Sequence, residues 1–317
     1  MNKSITGIHH ITAIAGDPQA NLDFYTGVLG LRLIKRTVNF DDPSAYHLYY
    51  GDETGTPGSI VTFFYWPGHS ARGRIGSGQS TAFTFSTPVE SIGYWEERLG
   101  RLGVDFRRVT RFGEETLQLD DPDHLPIEIV GVSGDERTGW GGGDVPAEHA
   151  LKGFHTAELT LHAAEGTERL LLDEMHFRPV RREGNRSRFE AGPGGSGRYV
   201  DLVVDPSIPS GLDGAGTIHH VAWSVPDDAT EVRLREKFLA AGHQVSPVID
   251  RDYFHSIYYR EPGRVLFEVA TEQPGFTIDE SLDQLGASLR LPKRYEPVRG
   301  QIEKILPPLR IPEIKTS

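Results

Sequence analysis

Hydrophobic and polar positions in this chain run through the same order four times. A short alternating strand comes first, an amphipathic helical stretch follows, and several more strands close the repeat. The opening strands read as Gly7–Ile14, Ser80–Ser86, Gly153–His162 and Thr217–Val225 by their two-residue period. Helices are expected over Pro18–Leu29, Val89–Leu102, Glu165–Met175 and Asp228–Ala241. Asp17 before Pro18 offers a cap with proline at the first helical position, and Gly30, Gly103 and Gly242 end three of the four. β-Branched and aromatic runs after each helix predict three further strands, in the last repeat Gln244–Val248, Ser256–Arg260 and Val265–Ala270. The reading is an α+β fold of four β-α-β-β-β modules in two halves, the third module being the least regular, with curved mixed sheets.

The polar, glycine-rich stretch Gly131–Ala150 lacks periodicity and is read as a linker. It separates an N-terminal half (1–135) from a C-terminal half (150–275). His69–Gln79 reads as a loop between the first two modules. A proline-bearing tail (276–317) follows, with a short helix expected at Ser281–Leu289 and the rest wrapping over the body or fraying. Gly192–Gly197 lacks the Lys-Ser/Thr of a phosphate-binding loop and reads as a hairpin turn.

Composition narrows the functions open to this fold. The 317 residues are 37% hydrophobic and 25% charged, as in a soluble globular protein, and suggest about two domains. The formal charge is −12 and the basic residues are scattered, which argues against nucleic acid or an anionic membrane surface as partner. No run approaches the roughly 20 apolar residues of a membrane span, and the first residues lack the features of a secretion signal, so a cytoplasmic location is expected. There is no cysteine. Disulfides, thiolate zinc sites and cysteine nucleophiles are thereby excluded, and any metal must be held by His, Asp or Glu.

Two passages nearly repeat: Gly7-Ile8-His9-His10-Ile11-Thr12 and Thr217-Ile218-His219-His220-Val221-Ala222. Both open a module, the first and the last. A lone strand histidine is more often structural than a ligand, but two pairs at equivalent places in a repeat shift that balance. Glu268 lies in the apolar strand Val265–Ala270, where a carboxylate is costly unless paired or bound to a cation; the plainer reading is an edge-strand residue facing water. Glu128 sits in a similar strand, Pro126–Val130, but Thr81-Ala82-Phe83-Thr84 ahead of it contains no histidine. Two histidines and one carboxylate form a facial triad suited to Fe(II) oxygenases, and the same set also serves hydrolytic zinc. No H-E-x-x-H, nucleophile elbow or dinucleotide fingerprint is present. Just ahead of Glu268, Asp250–Arg260 is dense in aromatics and carries Arg251 and Tyr258. Arg251 could hold an anionic oxygen and Tyr258 could give a hydrogen bond or proton, or both could belong to an ordinary salt-bridged strand.

The repeated module, with Phe24-Tyr25-Thr26-Gly27-Val28-Leu29-Gly30-Leu31 closing its first helix and the turn Asp120-Asp121-Pro122-Asp123-His124, resembles the vicinal oxygen chelate superfamily. That group includes glyoxalase I, bleomycin-resistance proteins and extradiol dioxygenases. His124 departs from the glycine usual at that turn. Over residues 5–275 the likeness is closer to dioxygenases that cleave hydroquinone rings. It rests on Ile249–Pro262, Leu266–Thr271, Ile8–Thr12 and Tyr46–Asp52. The resemblance implies Fe(II) ligands at His10, His220 and Glu268, with Mn(II) or Zn(II) able to replace iron in a given preparation. It implies a surrounding set of His9, Thr12, His219, Arg251 and Tyr258. Strict strand alternation would turn His9 and His219 away from the metal face. If the first and last modules pair, the three ligands can meet, and the middle modules would form a metal-free cup. The expected function is O2-dependent cleavage of a small aromatic diol, a hydroquinone. The alternatives are a glyoxalase-like isomerase or a non-enzymatic bleomycin-resistance-type binder. A homo-oligomer is compatible with the sequence.

Overall fold

The computed structural model describes residues 5–67 and 71–311. Residues 69 and 70 of the expected inter-module loop, and the end of the tail from 312, lie outside the described residues. The first module contributes β1 (Gly7–Ile14), β2 (Arg32–Val38), β3 (Tyr46–Gly51) and β4 (Ile60–Tyr65). The second contributes β5 (Gln79–Pro88), β6 (Phe106–Arg111), β7 (Glu114–Asp120) and β8 (Pro126–Val132). The third contributes β9 (Phe154–Leu161), β10 (Arg178–Glu183), β11 (Arg186–Glu190) and β12 (Tyr199–Val204). The fourth contributes β13 (Thr217–Val225), β14 (Ile249–Asp250), β15 (Phe254–Arg260) and β16 (Leu266–Pro274).

The strands form two mixed eight-stranded sheets, ordered β14-β15-β16-β13-β1-β4-β3-β2 and β10-β11-β12-β9-β5-β8-β7-β6. The first module therefore pairs with the last, through antiparallel β1 and β13, and the second pairs with the third, through antiparallel β5 and β9. Within a module the first strand runs parallel to the last, as β1 with β4 and β13 with β16. Buried apolar side chains such as Phe83, Phe85 and Phe154 fill the core near the junction of the middle modules.

The first helix starts where its cap predicts, and the last starts at a cap of the same kind. Asp17 accepts from the amide of Ala20 at 2.7 Å to open α1 (Pro18–Leu22), and Asp227 accepts from Thr230 to open α4 (Asp228–Ala240). Two of the expected helices are not uniform. α1 widens into a π-type turn over Asp23–Val28, and α3 (Glu165–Arg169) does the same over Leu170–Glu174. α2 (Ile92–Arg101) is preceded by one tight turn, Val89–Ser91.

The expected strand Gln244–Val248 reduces to an isolated bridge between Val245 and Tyr259, ahead of the two-residue β14. Pro247 has no amide hydrogen to give. Instead, Ser246 bonds Tyr258 with its amide and, through its hydroxyl, with the Tyr258 amide. The expected tail helix at Ser281–Leu289 is a single turn, Leu282–Gln284, stopped by Gly286 at φ 77°, where a side chain would also collide with the Leu33 carbonyl. The tail helix is α5 (Arg299–Ile305). The tail wraps the first module. Lys35, fully buried, gives hydrogen bonds to Asp279, Glu280 and the Phe276 carbonyl, while Tyr46 bonds the Pro307 carbonyl. No helix is long and apolar enough to cross a membrane among the described residues.

Candidate metal centre and its aromatic pocket

The β1–β13 register sets the site. His10 pairs with Ala222 and Thr12 with His220, so both imidazoles project from adjacent strands onto the concave face of the first sheet. β16 then places Glu268 beside Ala222. His10 Nε2 lies 3.3 Å from His220 Nε2 and 3.3 Å from Glu268 Oε2, and His220 Nε2 lies 2.8 Å from that oxygen. Ligand atoms about 2.1 Å from one ion and at right angles are separated by about 3 Å, so the triangle has the edge lengths of a facial triad. All three residues are buried.

Glu268 Oε1 accepts from the Ser256 hydroxyl, whereas the buried Oε2 faces the two imidazole Nε2 atoms. Burial works against the Glu268 charge, but His10 and His220 hold its carboxyl well below the usual range. Burial also lowers the pKa of His220, keeping it neutral. An ionised carboxylate oxygen that converges with two imidazole nitrogens in a buried site fits a divalent cation. The three residues could hold one.

His9 and His219 do not point away. Each is the extra residue of a β-bulge: β1 advances from Ile8 to His10 while β13 moves one step, and β13 skips His219 between Ile218 and His220. A bulge breaks strict alternation and brings consecutive side chains toward one side. His9 Nδ1 thereby meets His10 Nδ1 at 2.9 Å, and His219 Nδ1 meets His220 Nδ1 at 2.7 Å. Burial, reinforced by the adjacent histidine, depresses both His9 and His219 to about 3.

A cavity of about 180 Å³ opens over the triad. Phe40, Phe64, Trp66 and Phe254 supply aromatic walls, and Arg251 and Tyr258 close one side. Arg251 Nε donates to the Tyr258 hydroxyl at 3.2 Å and Nη1 to Asp41 at 2.9 Å, linking the β2–β3 loop to the last module. Burial opposes the Arg251 charge, yet Tyr258 and Asp41 stabilise it and push its pKa up. Burial and the Glu268 charge push the Tyr258 phenol up, so it stays protonated. Thr12 lines the cavity and meets Thr62 Oγ1 at 2.9 Å, and Thr62 in turn meets His47 Nε2 at 2.8 Å. The Tyr49 hydroxyl meets His47 Nδ1 at 2.9 Å. The structure thus brings all eight expected residues to one locus.

His47, Tyr49, Thr62, Phe254 and Ser256 join them without having been singled out. The motif Tyr46–Asp52 does carry a signal for two, because alternation puts His47 and Tyr49 on one face. Ser256 and Phe254 act through cross-strand contacts that depend on register.

The equivalent place in the second sheet is filled differently. Glu128 occupies the position of Glu268, facing Thr84 as Glu268 faces Ala222. Ala82 stands where His220 would be. Thr84, Gln118 and Arg111 satisfy the Glu128 carboxylate, and Arg111 and Arg186 bind Glu158. It is a closed ion-pair network with no histidine-carboxylate triad among the described residues.

Comparison with known proteins agrees with this geometry. Residues 7–129 match the Glyoxalase/Bleomycin resistance protein/Dioxygenase superfamily. The chain is 45% identical over 99% of its length to a Bacillus subtilis (strain 168) protein bearing the name ring-cleaving dioxygenase MhqO, covering 100% of that relative. It is 34% identical over 94% of its length to the chlorohydroquinone/hydroquinone 1,2-dioxygenase of Sphingobium indicum, covering 95% of it. A crystal structure of a dioxygenase from Bacillus subtilis superposes with a TM-score of 0.94 at 45% identity, over 98% of this chain and 99% of that one. Glyoxalase I from Zea mays, at 13% identity and a TM-score of 0.62, covers 84% of this chain and 92% of its own and shares the fold. The chain belongs to the ring-cleaving dioxygenase family of this superfamily, a family of oxidoreductases.

Proposed function

We propose that the protein cleaves the ring of a small aromatic diol, a hydroquinone, with O2, using Fe(II) held by His10, His220 and Glu268. The observation that carries this reading is the convergence of Glu268 Oε2 with two imidazole Nε2 atoms at the base of an aromatic cavity. Fe(II) held by His10, His220 and Glu268 would bring the diol and O2 together and activate them for reaction. The name of the Sphingobium relative supports hydroquinone as the diol class.

The chain's own residues do the rest. Phe40, Phe64, Trp66 and Phe254 exclude water and hold one ring. The cavity of about 180 Å³ suits a single ring, since an apolar cavity of roughly 150 Å³ accepts benzene. Arg251 offers a cationic donor to oxyanion charge that grows during the reaction. Tyr258, held by Arg251, gives a hydrogen bond from its phenol. His219, at the cavity wall, moves a proton to or from the substrate. Thr12, linked through Thr62 to His47, presents a fixed hydroxyl.

Anaerobic loading with Fe(II), followed by oxygen uptake on a panel of hydroquinones and catechols, tests the proposal. Uptake with a hydroquinone and a ring-opened acid product is expected. Turnover of catechols alone would reject the hydroquinone subclass. Isomerisation of thiol adducts of 2-oxoaldehydes with no oxygen uptake would replace the proposal with a glyoxalase reaction.

A further inference from the structure

The two histidine pairs are related by the repeat but are not equivalent in their outer contacts. His9 Nε2 lies 3.1 Å from the Thr271 carbonyl, which can only accept. His9 therefore carries its proton on Nε2 and offers a lone pair at Nδ1. Nδ1 faces His10 Nδ1 at 2.9 Å, so His10 must carry its proton there. His10 Nε2 is then an unprotonated lone pair, aimed at the place where Glu268 Oε2 and His220 Nε2 converge. Every proton in this line follows from one main-chain carbonyl. His9 is 2% exposed, and its ring is braced edge-on by Phe254 at 5.0 Å. His219 differs: its Nδ1 meets His220, but its Nε2 has no partner among the described residues and its ring lines the substrate cavity.

We propose that His9 is a positioning residue that relays the Thr271 carbonyl into the tautomer of His10, pre-setting this ligand for metal before any metal arrives, whereas His220 has no such relay behind it and is held instead from the metal side, with its Nε2 2.8 Å from the Glu268 carboxylate. The inference rests on the reading of His10, His220 and Glu268 as the metal triad. It assigns the two pseudo-equivalent histidines different tasks, one fixing a ligand and one left free toward the cavity. Ring orientation and tautomer imposed on a ligand from behind typically alter metal affinity by about 10- to 100-fold when removed.

The test uses the full chain, metal-free and zinc-loaded. Two-bond nitrogen–proton correlation spectra of ¹⁵N-histidine protein show which ring nitrogen carries the proton, with signals assigned by His10→Ala and His220→Ala. His10 is expected in the Nδ1–H form already in the metal-free protein, and His220 in the Nε2–H form that donates to Glu268, switching to Nδ1–H when zinc takes its Nε2. Zinc affinity, measured by competition with a chromogenic chelator, should fall about 10- to 100-fold in His9→Leu. It should be largely restored in His9→Asn, whose side-chain oxygen can still accept from His10 Nδ1–H. A metal-free His10 protonated on Nε2 overturns the relay, as does wild-type zinc affinity in His9→Leu or an equal loss in His9→Asn. Equal zinc uptake by wild type and His10→Ala would instead remove the triad on which the relay depends.

Discussion

Tyr258 stands directly opposite Glu268 in the antiparallel β15–β16 ladder, so the phenol and the carboxylate share the concave face, and the Tyr258 ring meets that of His220 edge-on at 5.9 Å. The hairpin turn at Glu261–Arg264 sets that register. Arg251, whose side chain is largely buried, then braces the phenol from the cavity side.

Arg251→Lys should separate chemistry from folding. It keeps a charge but loses the planar fork that bonds Tyr258 and Asp41 at once. Losing a charge-assisted contact made in the transition state costs about 2–4 kcal/mol, or roughly 30- to 1000-fold in kcat/KM. Metal content and melting temperature should stay near wild type. A variant that loses metal or unfolds, with normal turnover in its folded fraction, would show the arginine to be structural.

His10→Ala, His220→Ala and Glu268→Ala should each abolish tight metal binding, read by metal analysis after dialysis. Glu128→Ala should keep the metal. Its cost falls on the second sheet, where Arg111, 2.5 Å away and partly exposed, and Gln118 lose their acceptor. With that exposure taken into account, destabilisation should be about 1–3 kcal/mol in urea unfolding. Metal loss in Glu128→Ala, with retention in Glu268→Ala, would place the centre in the wrong sheet.

Stability should depend on pH through Glu231 in the first turn of α4. Both of its carboxylate oxygens are buried without a hydrogen bond, and burial raises its pKa to about 7 from the ordinary 4.5. Between those values the folded chain keeps a proton that the unfolded chain has released. This contribution is therefore fully present below about 4.5, shrinks as pH rises, and is gone above about 7. The span is worth at most about 3 kcal/mol. Glu231→Met should remove the slope, so the variant gains on wild type between about pH 5 and pH 8 in urea midpoints. A constant difference across that range would contradict the assignment.

Lys35→Met tests the strap that the tail makes over β2. Lys35 is fully buried and pairs with Glu280, itself 4% exposed. Removing Lys35 leaves the buried Glu280 carboxylate with Ser288 at 3.2 Å and Arg290 at 3.5 Å, so the loss should fall at the lower end of the about 3–5 kcal/mol that breaking a buried pair costs. Lys35→Met with Glu280→Gln should recover part of that loss, giving a coupling energy in a double-mutant cycle. Additive losses would show that the two side chains do not act as a pair.

Periodicity and composition, read along the chain alone, determined the four modules, the helix cap at Asp17, the absence of thiolate chemistry, and the candidates His10, His220 and Glu268. These are local properties: a two-residue alternation, a cap or a residue type needs only its neighbours. The aromatic stretch ahead of Glu268 offered Arg251 and Tyr258, and resemblance to a family added His9, Thr12 and His219 around the triad. Tertiary structure decided what depends on pairing between distant strands. The first module joined the last because β1 adopts β13 as its antiparallel neighbour, which closes a separation of 210 residues between His10 and His220. The bulges that turn His9 and His219 back onto their neighbours are register events between two strands, invisible to strict alternation in either one. The same holds for Ser256 on Glu268 and for Thr62 between Thr12 and His47. The similarly patterned Glu128 and Glu268 strands met different fates because one faces arginine across its sheet and the other faces two imidazoles.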